Sequence, residues 1–383
     1  MNSLNQFAQG KLDNLQRRHL RRALTETLRE DGIWVERDGR RLLSFSCNDY
    51  LNLTQHPAVK QAAIDAIDKY GAGSGASRLV TGNHPLYAEL EARLARIKQT
   101  EAAVVFGSGY LANAGIIPVL IGRDGLVLAD ELSHACLFAG AQLSRGKVLT
   151  FKHNDLDHLR MLLAEHRGFY EHVLIVTDGV FSMDGDLAPL AALYTLANES
   201  DAWLMSDDAH GLGVVGGGRG SSFAGNTHIP VPLQMGTLSK AVGAYGGYIC
   251  ASNAVIDLIR NRARTLIYST GLPPSCVAAS IAALDIIERE PAYAALPVQK
   301  AKAFTNAAGL PEAQSPIVPV IIGGEEATLA ASQMLADEGY LAAAIRPPTV
   351  APGTARLRLT FTAQHADDAI ERLAGIVREK ILH

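Results

Sequence analysis

The feature that most constrains this chain is a succession of short apolar runs: AAVVF at 102–106, GLVLAD at 125–130, VLTF at 148–151, HVLIVTD at 172–178, AWLMSDDAH at 202–210 and PVPLQMG at 230–236. Each is too short for an ordinary globular helix, and polar residues barely interrupt it. Between them lie segments with apolar residues at helical spacing, such as LDHLRMLLAEH (156–166) and LAALYTLANE (190–199). A strand apolar at successive positions is covered on both faces, so the pattern predicts an α/β fold with a mostly parallel sheet between helices. Ligands of such a sheet bind at the carboxyl ends of its strands.

The flanks differ. Residues 12–30 read as a basic helix, and RLLSFSCNDYLNL (41–53) as a strand running into a turn. A helix is expected over 57–70, then the glycine-rich GAGSGASRLVTG (71–82), then a second helix from near Pro85. Beyond about 285 the chain is rich in Ala and Pro, and SPIVPVIIGG, ATLAASQMLADEG, LRLTFTA and a last helix suggest a small C-terminal α+β domain. The expected division is an N-terminal arm over 1–45, a large domain over 46–284 and a small one over 285–383.

Composition closes off several classes. The chain has 383 residues, 48% hydrophobic and 19% charged, with a formal net charge of -4, so there is no basic footprint for nucleic acid. No apolar run approaches the ~18 residues of a membrane span, and the polar N-terminus is unlike a signal peptide, so a cytoplasmic location is expected. Cys47, Cys136, Cys250 and Cys276 stand far apart without a CxxC pair, which reads as reduced thiols.

Three strand-end segments carry candidate chemistry. In VVFGSGYLANAG, Gly107, Ser108 and Gly109 precede helix-forming residues, a geometry that cradles a phosphate on backbone N–H groups. The same letters fit a loose dinucleotide fingerprint over Gly107–Ala112, with Asp130 as its acidic partner, and a plain tight turn is a third reading. WLMSDDAHG ends a strand with Asp207, Asp208 and His210; a metal, or a capping Asp208 beside a core histidine, are both open there. Buried carboxylates in this setting need a positive partner. Lys240, in GTLSKAVGAYGG, follows another strand, where partial burial would make its amine a nucleophile toward a carbonyl, although a lysine beside glycines is also an ordinary loop residue. One cofactor uses all three segments: pyridoxal 5′-phosphate offers a phosphate, a pyridinium nitrogen and an aldehyde.

The motifs SFSCNDYLNL, ADELSHACL, TDGVFSMDGDLAPL, DDAHGLGVVGGGRG, GTLSKAVGAYGG, IYSTGLPP and IRPPTVAPGTARLRLT stand in the order found in a known family. Together they resemble the pyridoxal-phosphate-dependent α-oxoamine synthases of the fold-type I aminotransferase superfamily, over nearly the whole chain. The resemblance implies that Lys240 carries the cofactor, Asp207 partners the ring nitrogen, and His134 stacks on the ring. Ser182 and His210 would serve the phenolic oxygen; the Gly109 and Tyr110 amides and Thr237 the phosphate. Asn48 and Arg358 would orient the substrate and its carboxylate, Arg22, with Arg21 as competitor, would meet the acyl substrate, and Thr349 would be another substrate contact.

AIRPPTVAPGTARLRLT is most similar to members that condense a pimeloyl thioester with L-alanine, which implies those substrates, carried on CoA or an acyl carrier protein. Members using glycine and acetyl-CoA stay open, as does an unrelated NAD-dependent dehydrogenase built on Asp130. A homodimer is implied, with YSTGLPP (268–274) reaching the second copy. Three positions depart from the family's habit: Asn52 for a glycine, Tyr87 for a histidine and Leu212 for a threonine, the first two expected near the mouth of the site.

Overall fold

The computed structural model describes residues 2–17, 20–30, 32–225 and 227–382. The apolar runs become strands β1 (Ala102–Phe106), β2 (Gly125–Asp130), β3 (Lys147–Phe151), β4 (His172–Asp178), β5 (Trp203–Asp207) and β6 (Leu233–Thr237), joined by β7 (Gly247–Ala251). They form one sheet in the order β1-β7-β6-β5-β4-β2-β3. Strands β2 to β6 pair in parallel, and β7 runs antiparallel to both β1 and β6.

Alternate residues of each strand enter different cores, which is why the runs lack polar interruption. Val127, Ala129, Leu174 and Val176 pack with helices Gly109–Leu120 and Ala135–Ser144. Their neighbours Leu126, Leu128, Val173 and Ile175 pack on the opposite face with helices Leu156–His166 and Leu190–Glu199. At about 1.5–3 kcal/mol per large side chain, burying both faces dominates the stability of this layer.

Strand β1 is an edge, and side chains blunt it. The Val105 N–H donates to Glu91 Oε1 at 2.9 Å, while Arg78 and Arg260 donate to the Val105 and Ala103 carbonyls, each at 3.0 Å. Both arginines also pair with Glu91. The backbone groups that would template another strand are thereby occupied.

Two compact units emerge: residues up to 46 together with 319–359, and residues 47–318 with 360–381. The boundaries read from sequence, 1–45, 46–284 and 285–383, differ from these, since helices Pro291–Ala308 and Asp367–Lys380 fall in the larger unit. The smaller unit holds Trp34–Arg37 and Arg40–Ser44 as an antiparallel pair, and Tyr340–Leu341 lies parallel to the latter. Of the helix expected over 12–30, the described residues through Arg17 are helical, within a helix Ser3–Arg17 none of whose residues is buried, 18–19 lie outside the described residues, and 20–27 have no regular structure. Leu28–Arg29 is a strand against Trp34–Arg37.

Candidate active site

Parallel strands deliver their last residues to one edge, and there Asp178 of β4, Asp207 of β5 and Met235 of β6 stand in register. With Gly109, Tyr110, His134, Cys136, Val180, Ala209, His210, Thr237 and Lys240 they line a cavity of about 220 Å³. The three segments singled out as strand ends therefore converge, in the larger unit.

The anion-binding end is the start of helix Gly109–Leu120. The Ser108 hydroxyl accepts from the Leu111 N–H at 3.2 Å, and the first amides of a helix have no partner within it, so Gly109 and Tyr110 present N–H groups and a positive dipole end to the cavity. The glycines after Lys240 make this possible. A Cβ on Gly247 would lie 2.5 Å from the Ser108 carbonyl oxygen and 2.6 Å from the Gly109 nitrogen, so only glycine lets β7 press against the turn. Gly243, at φ +69°, packs on the Thr54 backbone, where a Cβ would come within 2.7 Å of the amide nitrogen. The Thr237 hydroxyl donates to the Gly246 carbonyl at 2.7 Å and accepts from the Ser239 N–H.

Asp207 is buried, with Oδ1 accepting from Ala209 N–H at 3.0 Å and Oδ2 from Asn113 Nδ2 at 2.7 Å. His134 caps helix Ala135–Ser144 through Nδ1. Burial holds its imidazole below the ordinary value, the Asp207 carboxylate opposing and the Lys240 ammonium adding to the effect. Asp178 Oδ1 accepts from the His134 N–H at 3.0 Å; burial, then the charge of Asp207, pushes the Asp178 carboxyl well above the usual range, which favours its neutral form. The prediction follows that Asp178→Asn, neutral and of the same shape, keeps activity within about threefold, whereas Asp207→Asn loses about 100-fold or more with cofactor still bound. Steady-state kcat of the two purified variants checks it, and equal losses would contradict these roles.

His210 is reached from Tyr50, which no local pattern in the sequence singles out. The Tyr50 hydroxyl, fully buried, lies 2.7 Å from His210 Nδ1 and 3.3 Å from Asn48 Oδ1, tying two predicted residues into one chain. Ser182 lies two residues past Val180 and is outside the cavity lining. In the smaller unit Arg22 Nη2 donates to Thr349 Oγ1 at 3.2 Å, so two residues expected to contact substrate are neighbours. Arg358 is buried on strand Ala355–Thr360, on the same face as a second buried arginine, Arg356.

Several readings are corrected. Asp208 pairs with Lys98, wholly buried, and accepts the N–H of Ser221, the first residue of the short helix Ser221–Phe223. Asp207, Asp208 and His210 face three different partners, and among the described residues no cluster of three or more His, Cys, Asp or Glu is arranged to hold a metal. Asp130, the acidic residue of the dinucleotide reading, is filled by local donors: the Leu132 and Asn154 N–H groups and His153 Nδ1. Asn52 and Tyr87 are buried rather than placed at a mouth. Asn52 adopts φ 53°, ψ 28°, the left-handed region where asparagine is the usual substitute for glycine. Tyr87 accepts from the Leu272 N–H and lies under the Arg78 guanidinium at 3.9 Å. Leu212 is core.

The His153 imidazole, between Asp130 (3.1 Å) and Asp186 (2.8 Å), shows a separate pH effect. Burial lowers its pKa, but hydrogen bonds to the two carboxylates outweigh this and raise it to about 10 from the usual 6.5. A folded-state value above the unfolded one stabilises fully below about 6.5 and loses that contribution as pH rises through about 10. The melting temperature of the wild type is therefore expected to fall between these limits more steeply than that of His153→Gln; parallel curves would refute it.

The donor set fits pyridoxal phosphate: N–H groups and a helix N-terminus for its phosphate, a glycine-tight turn at Gly109, a buried carboxylate for its ring nitrogen and a lysine for its aldehyde. Residues 40–377 match the family model of aminotransferase class I and II. The chain is 68% identical over 345 residues to an 8-amino-7-oxononanoate synthase of Methylocella silvestris, covering 90% of this chain and 98% of that protein. One from Beijerinckia indica is 60% identical, covering 98% of both. A serine palmitoyltransferase of S. paucimobilis, solved with bound PLP, superposes with a TM-score of 0.91 at 27% identity, over 99% of this chain and 98% of that one. The 8-amino-7-oxononanoate synthase of Francisella tularensis gives 0.76 at 26% identity, over 89% and 98%. The chain thus belongs to aminotransferase class I and II, in the branch of the 8-amino-7-oxononanoate synthases, with the fold-type I architecture and pyridoxal phosphate as its cofactor.

Proposed function

We propose that this enzyme is an acyltransferase condensing L-alanine with a pimeloyl thioester, releasing CO2 and the thiol carrier and yielding 8-amino-7-oxononanoate for biotin biosynthesis. The observation that carries this is one cavity uniting Lys240, Asp207, His134 and the Gly109 helix terminus, in a chain 68% identical to such a synthase.

Bound, pyridoxal phosphate supplies an aldehyde for the amino group and a ring that takes up the electron pair left when a bond to the α-carbon breaks. Lys240 holds the cofactor at rest and, once released by alanine, takes and returns the proton at its α-carbon. Asp207 keeps the ring nitrogen protonated, and His134 flanks the ring. The Gly109 and Tyr110 amides hold the phosphate with help from Thr237, and Ser182 and His210 serve the phenolic oxygen. Asn48 orients the amino acid, and Arg358 grips its carboxylate, which selects the bond that breaks. Arg22 takes the acyl substrate, and Thr349 is a further substrate contact. Two copies of the chain, in the cytoplasm, complete the assembly, with 268–274 contributed to the second copy; Tyr268 on that segment is 75% exposed.

The test is to incubate purified holoenzyme with L-alanine and pimeloyl-CoA or pimeloyl-acyl carrier protein. Mass spectrometry should then find 8-amino-7-oxononanoate with CO2 release. Turnover of glycine with acetyl-CoA alone would replace this reading, and light scattering at the mass of one chain would remove the homodimer.

A further inference from the structure

Helix Gly109–Leu120 offers the site more than its first amides. Asn113 lies four residues after Gly109, one turn along and on the same face, so the element that offers N–H groups to an anion also directs a side chain toward Asp207. Asn113 is completely buried. Its Nδ2 donates to Asp207 Oδ2 at 2.7 Å and to Cys136 Sγ at 3.0 Å, while its Oδ1 has no partner. An amide turned so that its acceptor stays unsatisfied is oriented by what its two donors reach.

Cys136 can meet Asn113 because of Gly140, one turn later on helix Ala135–Ser144. A Cβ on Gly140 would lie 2.4 Å from the Asn113 carbonyl oxygen, so glycine there lets the two helices close. Cys136 Sγ accepts from Asn113 and stands 2.7 Å from His134 Nδ1, which also receives the Cys136 N–H at 3.2 Å. Burial, then the Asp207 charge, pushes the thiol up to about 12, so it keeps its proton and can donate it. Nδ1 receives the Cys136 N–H and faces the thiol at 2.7 Å, whose other acceptor, Asp207 Oδ2, is more distant at 3.9 Å, so a neutral imidazole carries its single proton on Nε2. The charged groups acting on this ring are Asp207 and Lys240, with Asp178 accepting from its backbone N–H.

We infer that Asn113 is a positioning residue that fixes the plane of the Asp207 carboxylate and, through Cys136, places the His134 proton on Nε2. This rests on the proposed function only for what Asp207 and His134 do to the substrate; the arrangement itself is independent of the acyl group.

The test uses holoenzyme labelled with 15N in histidine, without substrate, the His134 signals being assigned by their loss in His134→Asn. The wild type should show a protonated Nε2 and a bare Nδ1. Asn113→Ala should give a mixture of tautomers and about a tenfold rise in the pyridoxal phosphate dissociation constant. Cys136→Ser should retain the wild-type pattern, because a hydroxyl also donates, and Cys136→Val, left with only the backbone N–H at Nδ1, should show a mixture of tautomers. A protonated Nδ1 in the wild type, or a wild-type pattern in both Asn113→Ala and Cys136→Val, overturns the inference. If Asn113→Ala does not fold, the two cysteine variants decide. Failure to form 8-amino-7-oxononanoate would defeat the proposed function and leave these spectra unaffected.

Discussion

Replacing Lys240 by alanine is expected to lower turnover by at least about four orders of magnitude, because in the proposed mechanism one side chain both anchors the cofactor and moves the α-proton. Lys240 lines the cavity and is half-buried, on a turn held by its own backbone: Gly243 N–H donates to the Lys240 carbonyl at 2.8 Å and Ala244 N–H to Leu238 at 2.9 Å. Those bonds survive the substitution, so the unfolding midpoint should move little. Borohydride reduction of the wild type followed by peptide mapping should place a pyridoxyl group on the peptide containing residue 240. A label on any other lysine, or an active Lys240→Ala variant, would sink the assignment and the proposed mechanism with it.

The largest loss of stability is expected from Lys98→Met. Lys98 is wholly buried, pairs with Asp208 and donates to the Arg219 carbonyl at 2.7 Å. Asp208 is 3% exposed and accepts from Ser221 N–H. Gly220, at φ +106°, has no room for a Cβ between the Asp208 carboxylate and the Lys98 ammonium. The pair therefore fastens the loop that follows β5 and carries His210. Removing the cation strands a buried carboxylate, a loss of about 3–5 kcal/mol. Urea denaturation reads it directly. In the double variant Lys98→Met with Asp208→Leu no charge is stranded, and part of the stability should return. A single-variant loss below about 1 kcal/mol would mean the pair contributes little.

How much of this was legible in the sequence varies with the distance over which each contact forms. Strands β1 to β6 were visible because two-sided burial demands unbroken apolar residues, and Lys240, Asp207 and the Gly109 turn because each sits at or just past the carboxyl end of such a strand. Lys98 was not: in LARIKQT it is a basic residue in the last turn of an amphipathic helix, which ordinarily faces water, and its partner is 110 positions away. Asp178 closes the apolar run HVLIVTD and opens a family motif without standing out, since nothing local says that β4 and β5 are neighbours in register.

Tyr50, Asn113 and Cys136 were hidden for the same reason. A tyrosine beside a turn, an asparagine inside a helix and an isolated cysteine each have ordinary local readings, and their partners His210, Asp207 and His134 come from other elements.

By itself, then, the sequence determined the layered parallel architecture and the strand ends at which chemistry collects, because periodicity and turn-forming residues act over a few positions. The tertiary structure alone decided which carboxylate meets the cavity and which is neutralised by a buried lysine, and which side chains orient the catalytic groups. Those outcomes depend on strand order and helix packing, where a glycine such as Gly140 or Gly247 sets how closely two backbones approach.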